Sequence, residues 1–167
     1  MTSAELVILS KLDGSYVAFA SATSSDVLRI SFARAKPYFN AAVVLSSPEI
    51  DHESVGLLCD AIIRNGGCYL LFFGPQSEKA HDIADAARDR FLGPDPSDQD
   101  IIMTTWHEGF DTSDIVFDTF TAQPADKYSS TSIGFVFICL DDPMLARRLS
   151  ARLRGPDATM REILRGQ

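Results

Sequence analysis

At 167 residues the chain has the length for one buried core and falls short of two comfortable domains, while 46% hydrophobic and 23% charged residues exclude the disordered and fibrous classes. A net charge of −8 would repel phosphate backbones, and no apolar run approaches the roughly 18 residues of a membrane span. The first ten residues lack the basic start and cleavage site of a signal peptide, so the expected setting is the cytoplasm, with neither nucleic acid nor membrane as a partner.

Residues 1–36 read as antiparallel strands. Glu5 to Lys11 and Ser15 to Ala20 flank Asp13-Gly14, the strongest short hairpin signal, and Leu28, Ile30 and Phe32 alternate with Arg29 and Ser31 at the period of a third, half-buried strand. From Pro37 to residue 155 the rhythm changes to apolar strand, turn and amphipathic helix, four times over. Ala41 to Leu45 precedes a helix capped by Asp51 and closed at Asn65-Gly66-Gly67. Cys68 to Phe73 precedes a helix capped by Ser77, with Ala80, Ile83, Ala84, Ala87 and Phe91 as its apolar stripe and Gly93-Pro94 as its end. Ile101 to Thr105 is the third strand of the series, followed by a helix capped at Asp111 or Thr112 and a polar loop from Gln123 to Ser132. Ile133 to Leu140 is the fourth, and Asp142-Pro143 opens its helix. Gly155-Pro156 ends that helix, leaving 156–167 as a short C-terminal helix from about Thr159 to Arg165, or a tail. Continuous apolar strands alternating with helices predict a single α/β domain, a small Rossmann-like, mostly parallel sheet with helices on both faces and the N-terminal antiparallel hairpin at one edge.

In such sheets ligands sit beyond the carboxyl ends of the strands. The residues expected there are Ser46 and Ser47, the Gly74-Pro75-Gln76-Ser77 turn, Trp106-His107-Glu108, and Asp141 and Asp142. Gly74, Ser77, Trp106 and Asp141 therefore define a candidate ligand rim. His107 is a candidate general base, because an imidazole titrates near neutrality and a neighbouring carboxylate, Glu108 or Asp82, can orient it. The plainer reading makes Trp106 a plug for the end of the core, with His107 and Glu108 bonding the loop. His81 lies on the second helix with Glu78 three residues before it and Asp85 four after, which suits a helix-side ion pair and, with further ligands from His107, Glu108 or Asp111, a metal. No standard metal motif is present, so no metal is expected. His52, in the first turn of its helix, reads as a surface residue.

The Gly-x-Gly-x-x-Gly and Walker loops and the Gly-x-Ser-x-Gly elbow are all missing, which removes the usual cofactor and esterase readings, and no cofactor is expected. Cys59, Cys68 and Cys139 are odd in number, widely spaced and set in apolar runs, the pattern of buried free thiols. From Pro143 onward six arginines oppose Asp157 and Glu162, a local +4 that leaves −12 on the preceding residues. Arg147, Arg148, Arg152 and Arg154 are thus the solvated side of a helix or a surface for an acidic protein partner, possibly a second copy of this chain.

Gly66-Gly67-Cys68-Tyr69-Leu70, then Gly74-Pro75, Glu78 and His81-Asp82, then Met103-Thr104-Thr105-Trp106-His107-Glu108 resemble an uncharacterised family of small bacterial domains, a domain of unknown function. Its members carry a Gly-Cys-x-Tyr strand, a Trp-Gly-Pro-x-Cys turn and a Met-Thr-Thr-Trp-His segment. This chain departs from that pattern with Phe73 and Ser77 in place of the Trp and the Cys. The resemblance implies an α/β fold, brings no activity, and draws His81, Trp106 and His107 together as one candidate site. With no activated nucleophile, phosphate loop or metal set legible, the leading expectation is an accessory, regulatory or immunity-type module that binds a protein or small ligand. The alternative is a small hydrolase-like enzyme centred on His107 at the strand ends. Convergence of His81 and His107 on one cleft separates the two.

Overall fold

Four apolar runs of about seven residues are too short for buried helices and too continuous for strands with one wet face, so each must lie inside a sheet covered on both sides. A computed structural model of the chain describes residues 6–12, 14–32, 35, 37–95, 97, 101–129 and 133–166. It contains strands β1 (Val7–Leu12), β2 (Ser15–Ala22), β3 (Phe39–Leu45), β4 (Gly67–Phe73), β5 (Met103–His107) and β6 (Gly134–Leu140). The helices are α1 (His52–Arg64), α2 (Ser77–Leu92), α3 (Thr112–Thr121), the short α4 (Asp126–Ser129), α5 (Pro143–Leu153) and α6 (Pro156–Gly166), with a 3-10 helix at Ser24–Arg29. The fold is α/β. The strands form one six-stranded sheet in the order β1-β2-β6-β3-β4-β5, in which only the β1–β2 pair is antiparallel.

From β3 the chain steps outward through β4 to β5, then returns to place β6 on the other side of β3. The helices divide accordingly. Leu58 and Ile62 of α1 and Ala80, Ala84 and Ala87 of α2 pack with Leu70 and Phe72 on one face. Ile115 and Val116 of α3 and Leu145, Leu149 and Leu153 of α5 pack with Leu71 and Phe73 on the other, with Met160 and Ile163 of α6 against them. The small side chains along α2 bring that helix close to the sheet. Two neighbouring strands that send their helices to opposite faces, here β3 and β6, make the topological switch point of a doubly wound sheet.

Several local expectations are corrected. Leu28 to Phe32 is no strand: Thr23 Oγ1 donates to Asp26 at 2.9 Å and the backbone closes from Asp26 N to Thr23 O at 2.9 Å, turn chemistry that overrides the alternation. Val27 and Ile30 are buried at i, i+3 spacing while Leu28 is 66% exposed, the period of the 3-10 helix. Among the described residues of 1–36 there is therefore one antiparallel pair, not three antiparallel strands. Ser77 does not cap α2; it is the first helical residue, after Gln76. Phe91 falls on the expected stripe of α2 yet is 54% exposed. Strand β5 runs two residues later than its apolar run suggests, because pairing from Tyr69↔Met103 to Phe73↔His107 sets the register. The loop expected at Gln123 to Ser132 includes α4, with 130–132 outside the described residues, and α6 begins at Pro156, which suits a first helical position. Asp13 of the expected turn lies outside the described residues, while Gly14 takes φ 84°.

Candidate functional site

Strand β5 is an edge of the sheet and carries the residues of most chemical interest. Successive strand side chains point to opposite faces. Thr104 and Trp106 face α2, where Thr104 Oγ1 lies 2.5 Å from Asp85 and 3.1 Å from His81 Nε2, and the His81 and Trp106 rings are 4.6 Å apart. His107 faces α3, where its ring stacks on Phe73 at 4.7 Å and 13°, and Nδ1 lies 3.3 Å from Asp118 Oδ2. The two histidines therefore belong to opposite faces of the sheet, and His81, Trp106 and His107 do not form one site.

Each half is a different environment. Thr104 has one hydroxyl proton, which goes to the acceptor-only Asp85 carboxylate, so its oxygen accepts from His81 Nε2–H. Asp85 is held in turn by Arg88 at 2.9 Å, and Asp82, exposed, approaches His81 Nδ1 to 3.5 Å. This is the helix-side ion pair extended into a network that clamps α2 to β5. Among the described residues, no group of three or more His, Cys, Asp or Glu side chains is placed to hold a metal.

On the opposite face Asp118, from the middle of α3, takes the orienting position expected for Glu108 or Asp82. Glu108 is exposed beyond the end of β5, and Asp82 belongs to the His81 side. Burial pushes the Asp118 carboxyl above its ordinary range, with His107 opposing the rise and Asp114 adding to it. His107 Nε2 is enclosed and has no hydrogen-bond partner among the described residues. The sequence signal for Asp118 is its place beside the buried Ile115, Val116 and Thr119, which sets it at the border of the apolar face of α3.

The predicted rim is built into the backbone. Gly74 takes φ 116°, a Cβ there would lie 2.1 Å from Leu45 O, and its N–H donates to His107 O at 2.9 Å. Ser77 is buried beneath this turn. At the switch point Asp141, with φ 59°, accepts from Ser24 N at 3.0 Å and from the Ser24 hydroxyl, while its own N–H donates to Ala22 O. That carboxylate caps the 3-10 helix, and Asp142 caps α5 by accepting from Leu145 N at 2.8 Å.

A family model matches residues 17–151, a span that opens in β2 and closes in α5. The chain belongs to the family described as Domain of unknown function (DUF7684). The DUF7684 match takes in both histidines, Asp118, the Gly74 turn and the switch point, and stops before α6. Comparison with curated proteins and with solved structures finds no match to either.

The arginine face is divided. Arg147, Arg148 and Arg154 are exposed, whereas Arg152 pairs with Glu162 of α6 at 3.4 Å and encloses Nη1 without a partner among the described residues. Of the apolar stripe beside them Leu145, Leu149 and Leu153 are buried, and Met144 is exposed. All three cysteines are buried and free. No described helix is long and apolar enough to cross a membrane.

Proposed function

We propose that this protein is a binding module that accepts an extended segment of a partner protein along the free edge of β5, beside Trp106. The carrying observation is an edge strand without protection. Met103–His107 ends the sheet, pairs regularly with β4, and contains no proline, lysine, acidic residue or bulge. His107 O is directed at Gly74 of the β4 side, so by alternation the backbone groups of Thr104 and Trp106 point out of the sheet. Trp106 is 44% exposed, and Met103 at the start of the strand and Phe110 beyond its end are exposed as well. Backbone groups at strand spacing next to an exposed aromatic ring are what a strand-adding partner requires, the main chain supplying affinity and the ring selecting a side chain. The clamp through His81, Thr104, Asp85 and Arg88 holds this edge rigid before binding, which lowers the ordering cost.

The test is selection of displayed random peptides on the immobilised protein, followed by affinity measurement on Trp106→Ala. Selected peptides should alternate in polarity, lose at least about tenfold in affinity to the variant, and slow amide exchange at Thr104 and Trp106. Binding that ignores Trp106→Ala, or protection elsewhere, refutes the reading.

A second reading rests on His107. Asp118 at Nδ1 leaves Nε2 as a working nitrogen, the arrangement of a general base in a small hydrolase-like enzyme. A thermal-shift screen of metabolites on wild type and His107→Ala separates the two: a ligand that stabilises only wild type favours the enzyme. Against it stand the separation of the two histidines and the enclosure of Nε2.

A further inference from the structure

The amino ends of the strands, opposite the rim where ligands were expected, hold an unassigned cavity. The α1–β4 turn presses on the entry to β3 because Gly66 takes φ 103° with its position only 2.4 Å, at the place of a Cβ, from Pro37 O. Phe39 N donates to Gly66 O at 3.1 Å and fixes that contact. Above it lies a cavity of about 600 Å³ whose apolar wall includes Tyr38, Ile63, Phe91, Ile102 and Tyr128. Arg64 and Lys127 also line it, and an adjoining space of about 340 Å³ shares Ile63, Arg64 and Phe91 and adds Arg90 together with Asp60. These volumes fall in the range of small-molecule sites, roughly 300–1,000 Å³.

We propose that this cavity binds an amphipathic organic anion, a small molecule with a flat apolar body and one carboxylate, sulfonate or phosphate head. Phe91 carries the apolar half of the argument: it continues the buried stripe of α2 but is left uncovered by the core, facing both spaces. Tyr38 and Tyr128 meet edge to face at 4.8 Å, a fixed aromatic wall against which a ring can lie. The cations carry the other half. Arg90 is paired with Asp60 at 3.2 Å, but Arg64 has no ion pair or side-chain hydrogen bond among the described residues. Asn65 caps the end of α1 beside Arg64, its backbone N–H and its side-chain amide donating to Ala61 O at 3.2 and 2.7 Å. A cation-bearing mouth in a chain of net charge −8 selects the sign of the ligand. The site is separate from the β5 edge and does not depend on strand addition there.

The experiment is a fluorescence titration of the full chain with anilinonaphthalene sulfonate and with uncharged N-phenylnaphthylamine, which has a similar ring system and no anionic head. Wild type should saturate with the sulfonate. Arg64→Ala should weaken the sulfonate roughly tenfold and barely change the neutral probe, whereas Phe91→Ala should weaken both. Both side chains are exposed, so both variants should keep the wild-type melting temperature within a few degrees, and Arg148→Ala, remote from the cavity, should titrate like wild type. Failure of wild type to saturate, equal sulfonate binding by Arg64→Ala, or unchanged binding by Phe91→Ala overturns the proposal.

Discussion

The Gly74→Ala substitution tests whether the strand-end turn is held by backbone packing. Gly74 sits at φ 116°, and an added Cβ would be 2.1 Å from the Leu45 carbonyl oxygen, with Leu45 C at 2.9 Å. An L-residue at such a φ costs about 1–3 kcal/mol. The oxygen cannot rotate away as a side chain would, since Leu45 is the last residue of the central strand β3, so either the β4–α2 turn or the strand end must move by roughly 1 Å in a close-packed core. Together these terms amount to about 3–5 kcal/mol. For a chain of this size, at about 2–4 °C per kcal/mol, the melting temperature should fall by about 10 °C. Gly93→Ala is the internal control, because Gly93 also has a positive φ, 80°, but no atom within 4 Å of an added Cβ. It carries the conformational term alone and should cost about 1–3 kcal/mol. Thermal unfolding followed by circular dichroism measures both, with amide exchange at Gly74 reporting its bond to His107 O. Equal, small losses in the two variants would show that the turn yields, and would refute the reading that backbone packing holds it.

Three further outcomes follow from buried and partly buried groups. Asp118 is raised, so the folded protein holds that proton to higher pH than the unfolded chain; its contribution favours folding most at low pH and is lost as pH rises through the folded pKa, above about pH 4. Asp118→Asn should therefore gain stability relative to wild type as pH rises from that point toward neutrality, read from urea midpoints across pH, and a constant difference would count against it. Burial pushes the thiols of Cys59, Cys68 and Cys139 up to about 12, so a thiol reagent at neutral pH should label none in the native state and all three in denaturant. Asn40→Ala should cost about 1–3 kcal/mol in urea unfolding, because buried Asn40 Nδ2 supplies Thr119 O at 3.4 Å and Ala122 O at 3.0 Å.

The alternation of apolar strands and capped helices from Pro37 onward was legible because each boundary carries its own chemistry. Asp51 and Asp111 accept from their helix N-termini, and Asp142-Pro143 opens α5. What local pattern could not supply was register. The Trp106-His107-Glu108 run reads as a loop after a strand ending at Thr105, where neighbouring side chains are free to share one rim. Pairing with β4 carries the strand on to His107, and strand parity then divides Trp106 from its neighbour. Register also hid Asp118: only when pairing carries β5 on to His107 does that ring turn toward the next helix, where Asp118 meets it. A long-range contact disguised Leu28 to Phe32, where the Asp141 carboxylate from the other end of the chain caps the 3-10 helix at Ser24. Periodicity shows which side of an element is apolar; it does not show which element arrives to meet it.

The two edges of the sheet differ in a way that favours β5 as the proposed contact surface. Strand β1 also exposes apolar side chains, Val7 and Ile8, but its ladder is broken by an irregularity between Ile8 and Ser10 and it ends near Lys11. Ser10 ties it to α5 by donating to Leu153 O at 2.8 Å. Irregular pairing, a lysine and a covering helix are the devices by which proteins deter strand addition. Among the described residues strand β5 has none of them, and Arg88 of the neighbouring α2 is held by Asp85 and Asp89 instead of guarding the edge. A regularly paired edge without lysine or acidic residues beside a half-exposed tryptophan is a standing aggregation hazard unless something pairs with it. The His81–Thr104–Asp85 network holds that edge in place instead of hiding it, which is the arrangement expected when the partner strand comes from another chain.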